Sequence, residues 1–168
     1  MEEVDKIIAV SQFTKDQIIE HYQIDPQKID VVHNGIDRAE TQRISHPIKD
    51  KLVVFLGRLT NQKGPQFLIE TAEKVAAIYP RVKFVVAGTG DEFVNSLETS
   101  AFKRLGNKFI FTGFLPKKQV NDLLSMAGVY FMPSVPEPFG LTALEVIQYE
   151  YPAYSHYSQA QLRESSQP

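Results

Sequence analysis

Short apolar runs alternate along this chain with longer stretches of helical period. Most runs are continuous and rich in β-branched or aromatic residues, which favours strands covered on both faces. They occupy residues 6–10, 29–33, 52–56, 82–87, 109–111 and 129–132. Between them, apolar residues recur at helical spacing within residues 68–79, 94–105 and 120–127. The β-α-β-α order predicts an α/β fold, a Rossmann-like parallel sheet with helices on both faces.

Composition narrows the classes of function. The chain has 168 residues, the length of one ordinary domain, with 43% hydrophobic and 23% charged residues. A net charge of -2 disfavours a broad nucleic-acid surface. The absence of cysteine excludes disulfides, zinc fingers and thiol nucleophiles, and four scattered histidines disfavour a catalytic metal. No apolar run is long enough to span a membrane, so a cytoplasmic protein is expected.

A polar stretch at residues 39–51 resembles a linker. We therefore expect a βαβ and linker segment over residues 1–48 and a larger Rossmann-like domain over 49–168, together forming one compact domain. Thr14 followed by Gln17 predicts a capping box at the start of the first helix.

Glycines and charged residues are concentrated directly after four of the predicted strands. In a parallel sheet these four loops all leave at the carboxyl edge, where open α/β sheets bind ligands. Glycines there let the backbone approach a ligand closely. The loops hold Gly57-Arg58-Leu59 with Lys63-Gly64, Gly88-Thr89-Gly90, Thr112-Gly113-Phe114, and residues 133–140.

The residue types in these loops indicate a diphosphate flanked by hydroxyl groups. Arg58 and Lys63 are cations beside glycines and suit phosphate oxygens. The helix predicted to begin at residues 139–142 would present free N–H groups to an anion. Glu137 and Glu145 lie in and after the same loop, and carboxylates accept hydrogen bonds from vicinal diols. This combination fits a nucleotide sugar better than a free phosphate.

Four motifs in this order resemble the C-terminal, donor-binding lobe of retaining glycosyltransferases with the GT-B fold. More narrowly, they are similar to the group 1 family, which includes bacterial glycogen synthase and sucrose synthase relatives. The resemblance runs from about residue 5 to about residue 147, and Glu137 and Glu145 match the family's E-x7-E spacing. The motifs are Gly57-Arg58-Leu59 with Lys63-Gly64, Ala87-Gly88-Thr89-Gly90, Thr112-Gly113-Phe114-Leu115, and Glu137-Pro138-Phe139-Gly140-Leu141 ending at Glu145.

The resemblance implies transfer of a hexose from a nucleoside diphosphate sugar, UDP among the candidates, with retained anomeric configuration. Arg58 and Lys63 would hold the diphosphate and stabilise the leaving nucleotide in place of a metal, so no cofactor is implied. Together with Glu137, they are the implied catalytic residues. The implied donor-binding residues are Gly57, Arg58, Lys63, Gly88, Phe114, Glu137, Phe139, Gly140, Leu141, Thr142 and Glu145.

The resemblance also implies which of these residues contact each part of the donor. Glu145 would bind the ribose hydroxyls, and the backbone near Phe114 would contact the base. Glu137 and the amides of Phe139 and Gly140 would meet the transferred sugar. The amides of Leu141 and Thr142 would lie near the phosphates.

The chain departs from the family pattern in two respects. Only the last βα piece of an N-terminal acceptor lobe, up to about residue 21, is present. Glu150 stands where the family has a glycine, and the remaining strand and closing helices are absent. We therefore expect a donor-binding half that is inactive without the N-terminal lobe as its partner.

Two other functions remain open from the sequence. The chain could be a non-catalytic or engineered Rossmann-like domain that binds a nucleotide or serves only as a structure. A receiver-like signalling domain is disfavoured, because the loops are basic and glycine-rich where such a domain needs acidic residues. An uncovered sheet edge, or the strand at residues 6–10, predicts self-association. Taken singly, Arg58, Lys63 and Glu145 also fit ordinary solvated surface charges.

Overall fold

The main sheet has five parallel strands in the computed structural model, which describes residues 4–37, 51–90, 93–134, 139–149 and 153–155. Within these residues the strands are Ile7–Ala9 (β1), Ile29–Val31 (β2), Leu52–Leu56 (β3), Lys83–Ala87 (β4), Phe109–Gly113 (β5), Val129–Met132 (β6) and Ala153–Ser155 (β7). The helices are Gln12–Tyr22 (α1), Pro65–Ile78 (α2), Phe93–Leu105 (α3), Lys117–Met126 (α4) and Leu141–Ile147 (α5). The predicted α/β fold is confirmed.

The order of the strands creates a switch point in the main sheet. The order is β5-β4-β3-β6-β7, and every neighbouring pair is parallel. The chain builds outward from β3 in one direction and then, from β6, in the other. Ligands of open α/β sheets bind at the carboxyl ends of the two strands that flank such a reversal. In this chain those strands are β3 and β6.

Apolar side chains cover both faces of the main sheet. One cluster packs α2 and α3 against the sheet, with Phe84 and Phe109 stacked at 5.2 Å between ring centroids. A second cluster packs α4 and α5 against the opposite face. In that cluster Tyr130 is buried and its hydroxyl donates to the carbonyl of Leu56 at 3.2 Å. The continuous apolar strands follow from burial on both faces.

The first strands form a separate small unit. β1 and β2 pair in parallel as a two-stranded sheet, joined by α1. The predicted capping box at Thr14 and Gln17 is wrong, because α1 begins three residues earlier. Ser11 is extended and its hydroxyl accepts the Thr14 N–H at 3.1 Å, so Ser11 is the N-cap. Gln17 instead donates to Glu20 at 3.2 Å.

The boundary predicted between residues 48 and 49 lies outside the residues that the structure describes. The linker predicted at residues 39–51 falls outside the described residues except for Lys51, so the boundary between residues 1–48 and 49–168 stays a prediction. Beyond Gln148, where the sequence departs from the family pattern, β7 pairs with β6. Among the helices described, none has the length and apolar character needed to cross a bilayer.

Candidate functional site

Backbone hydrogen bonds fasten the loops that follow β3 and β4 to each other and to the end of β5. The pairing of these strands continues past their ends, and Leu59 and Gly90 form a further parallel bridge. These two loops and the end of β5 therefore form one surface at the carboxyl edge. The hydrogen bonds run from Gly57 N to Ala87 O at 3.0 Å, from Leu59 N to Thr89 O at 2.9 Å, and from Gly88 N to Gly113 O at 2.8 Å.

Two glycines are required where these loops approach their neighbours. Gly88 has φ +144°, and a Cβ there would lie 1.9 Å from the carbonyl oxygen of Gly57. Gly64 has φ +66°, and a Cβ there would lie 2.4 Å from the carbonyl oxygen of Pro133. Because Pro133 follows β6, the second contact joins the loop after β3 to the loop after β6. The two loops at the switch point are thus in direct contact.

The two predicted cations lie on the β3 side of the switch point. Arg58 is the second residue after β3 and is exposed. Lys63 is half-buried and ends a single 3-10 turn, Asn61–Lys63, immediately before Gly64. Both residues are therefore at the edge of the sheet that the sequence predicts.

Of the two predicted carboxylates, only Glu145 lies in the described residues; Glu137 lies outside them. Glu145 is in α5, on the β6 side of the switch point, and its side chain is 33% exposed. Its Oε1 accepts a hydrogen bond from Lys117 Nζ at 2.7 Å. The carboxylate is thus neither freely solvated nor buried, and it is held between α5 and the start of α4.

Lys117 is the residue of this site that sequence reasoning missed. A cation in the first turn of a helix opposes the helix dipole. This placement is the signal in the sequence that the fold brings a carboxylate close to Lys117. The partner stands 28 positions away, so local spacing does not reveal it.

The start of α5 holds the residues that the sequence assigns to an anion. Gly140 is its N-cap, with φ 79°, and no cap from a side chain is present within the described residues. Phe139 is buried, Leu141 is exposed, and Thr142 is half-buried. Phe114, which follows β5 at the same edge, is 75% exposed.

The segment after β2, residues 33–37, lies along α5. The ring of His33 contacts the ring of Phe139 before α5, at 5.5 Å between centroids. The side-chain amide of Gln148, just after α5, donates to the carbonyl of Asp37 at 3.3 Å. This segment, called the strap below, therefore connects the small β1-α1-β2 unit to the helix that carries Glu145.

The Lys117–Glu145 pair predicts a loss of stability in alkali. The hydrogen bond to Glu145 raises the pKa of Lys117 above its ordinary 10.5. A raised pKa stabilises the fold below the unfolded value, and that contribution is lost as the pH rises through the folded value. Urea unfolding at about pH 8 and about pH 11 is expected to show this fall, and Lys117→Met is expected to reduce it.

The neighbouring lysine supplies the control for this prediction. Lys118→Met removes the same charge from a side chain that pairs with Asp122 at 3.0 Å within α4. It is expected to keep the wild-type dependence on pH. A fall in Lys117→Met as large as in the wild type would contradict the prediction.

Comparisons with known proteins agree with this architecture. Residues 36–159 match the family described as Glycosyl transferases group 1, and residues 1–40 match Glycosyltransferase Family 4. An uncharacterized glycosyltransferase of Methanocaldococcus jannaschii is 33% identical over 157 residues, covering 84% of this chain and 40% of the relative. Alpha-maltose-1-phosphate synthase of Mycolicibacterium smegmatis is 31% identical, covering 88% of this chain and 42% of that protein.

Solved structures share the fold. TarM superposes with a TM-score of 0.78 at 21% identity, over 95% of this chain and 31% of TarM. HepE of Anabaena, solved in complex with UDP and glucose, has a TM-score of 0.76 at 23% identity, over 90% of this chain and 44% of HepE. The chain spans about two fifths of the curated relatives given above. Its sheet and helices correspond to one lobe of a GT-B fold.

Proposed function

This chain belongs to the group 1 glycosyltransferases, and from that premise we propose that it is the donor-binding half of a retaining hexosyltransferase. The observation that carries the proposal is the switch point between β3 and β6. Arg58 and Lys63 lie on one side of it, the start of α5 and Glu145 lie on the other, and Gly64 brings the two loops into contact.

The proposed chemistry uses these groups to hold and release a nucleoside diphosphate. As the bond between the anomeric carbon and the phosphate oxygen breaks, negative charge accumulates on the departing diphosphate. Arg58, Lys63 and the first N–H groups of α5 stabilise that charge, so no metal or other cofactor is needed. Glu145 receives the ribose hydroxyls. Glu137, which lies outside the described residues, is proposed to contact the transferred sugar.

The donor is proposed to be a UDP-linked hexose. Support comes from HepE, which is similar to this chain and has been solved with UDP and glucose and with UDP-glucose. The acceptor is proposed to bind an N-terminal lobe, because the chain spans only about two fifths of the curated relatives. Transfer therefore requires both lobes. The expected cytoplasmic location and self-association stay predictions from the sequence.

Calorimetric titration with UDP, ADP and GDP tests the proposal. Saturable binding of at least one nucleotide is expected, with UDP preferred, and inorganic pyrophosphate is expected to compete for the same site. Equal, weak heats for all three nucleotides would remove the proposed pocket.

A second measurement separates a half-enzyme from a complete one. Release of UDP from UDP-glucose is followed with the chain alone and with an added N-terminal lobe of a relative. We expect no turnover by the chain alone, even with a sugar acceptor present. Turnover by the chain alone would contradict the proposed need for a second lobe.

A further inference from the structure

An ion pair joins the start of α4 to the middle of α5 at the proposed donor site. Lys117 Nζ and Glu145 Oε1 lie 2.7 Å apart, and the two side chains are 67% and 33% exposed. Lys117 opens α4, which follows β5, and Glu145 lies in α5, which follows β6. Both helices begin at the carboxyl edge of the sheet, so this pair belongs to the same edge as Arg58 and Lys63.

Lys117 contributes little to the stability of the fold. An ion pair with a largely exposed lysine adds little to stability, because water screens it. A cation in the first turn of a helix is disfavoured by the helix dipole. These two effects oppose each other at Lys117, so the larger consequence of the lysine is the orientation of the Glu145 carboxylate that it contacts.

The geometry of the pair leaves Glu145 able to bind a diol. A carboxylate has two oxygens, each with two lone-pair positions. Within the part of the chain that the structure describes, Lys117 occupies one position on Oε1, which leaves one position on Oε1 and two on Oε2. A vicinal diol needs one acceptor position on each oxygen. The hydrogen bond from the ammonium group limits rotation of the carboxylate, and hydrogen bonds from a diol to a carboxylate are charge-assisted.

We propose that Lys117 is a positioning residue, which holds the Glu145 carboxylate in the orientation that recognises the ribose of the donor nucleotide. This inference rests on the proposed function of the site. Lys117 acts through Glu145 and does not touch the diphosphate. Its removal therefore weakens recognition of the ribose hydroxyls selectively and leaves the other contacts of the nucleotide in place.

The test compares a nucleoside diphosphate with an analogue that lacks both ribose hydroxyls. Dissociation constants are measured by calorimetry for the best-bound of UDP, ADP and GDP and for its 2′,3′-dideoxy form. The wild type is expected to prefer the hydroxylated nucleotide by about tenfold or more. In Lys117→Met this preference falls to about threefold or less, while affinity for the dideoxy form changes by less than about twofold.

Two further variants sharpen the experiment. Lys117→Arg keeps a cation beside Glu145 and is expected to retain most of the wild-type preference. Lys118→Met removes the same charge one residue along, from a side chain that is 87% exposed and paired with Asp122. It is expected to change neither dissociation constant. Thermal unfolding of all three variants verifies that each is folded.

The outcomes distinguish this inference from the function on which it rests. If the wild type binds none of the three nucleotides, the proposed function and this inference both fail. If the wild type binds and prefers ribose hydroxyls but Lys117→Met keeps that preference, only this inference is overturned. An equal loss of affinity for both nucleotides in Lys117→Met also overturns it, because a general attraction of the diphosphate for the lysine would then explain the loss.

Discussion

Replacing Arg58 and Lys63 together by alanine is expected to weaken nucleoside diphosphate binding by about a hundredfold or more. A hydrogen bond to a charged group contributes about 1.5–3 kcal/mol, and about 1.4 kcal/mol corresponds to tenfold in affinity. Removing two such hydrogen bonds from one diphosphate gives the expected factor. Calorimetric titration of the double variant beside the wild type measures it. Neither residue is in the apolar core, so the variant is expected to fold.

A double variant on the opposite edge of the sheet is the matched control. Lys51 precedes β3 and Arg81 precedes β4, so both lie at the amino edge. Replacing these two residues by alanine removes the same two positive charges. We expect this control to bind nucleotide within about twofold of the wild type. Equal weakening in both double variants would mean that overall charge, and not a pocket at the carboxyl edge, attracts the nucleotide.

Gly88→Ala is expected to lower the free energy of unfolding by about 3 kcal/mol or more. A non-glycine residue in an unfavourable backbone region costs about 1–3 kcal/mol, and forcing extra atoms into a packed region costs about 1–3 kcal/mol. Both costs apply, since Gly88 has φ +144° and a Cβ would lie 1.9 Å from Gly57 O. Gly57 resists displacement because its N–H donates to Ala87 O at 3.0 Å.

Urea unfolding measures this effect, and Gly35→Ala provides its control. A Cβ on Gly35 would meet no atom within 4 Å. We expect Gly35→Ala to change the free energy of unfolding by less than about 1 kcal/mol. A Gly88→Ala protein as stable as the Gly35→Ala protein would show that the loops after β3 and β4 separate easily.

Local pattern predicts the elements of this fold well and their long-range partners poorly. The runs that become β3, β4 and β6 are recognisable because strands buried on both faces need continuous apolar residues. The pairing of β6 with β3 depends on packing between distant segments, and no spacing within either strand encodes it. The cap of α1 shows the same limit at short range. Ser11 and Thr14 are both suitable N-caps, and tertiary context selects Ser11.

The candidate site also combines features that local sequence predicts with features that depend on distant residues. The glycines and cations after β3 and β4 are predictable, because glycine and charge concentrate directly after an apolar run. The importance of Lys117 is not predictable in this way, since it depends on a carboxylate 28 residues later. The strap contacts on α5 are likewise absent from any local pattern. The roles of the individual residues stay predictions until the binding experiments are done.

The hydrogen bonds that fasten the loops after β3 and β4 use only main-chain atoms. Leu59 is also anchored by its side chain, which is buried in the core. Thr89 is exposed, so this part of the carboxyl edge keeps its backbone form whatever side chain stands at position 89. Position 89 can therefore be varied by a protein engineer without rebuilding the loops that carry it.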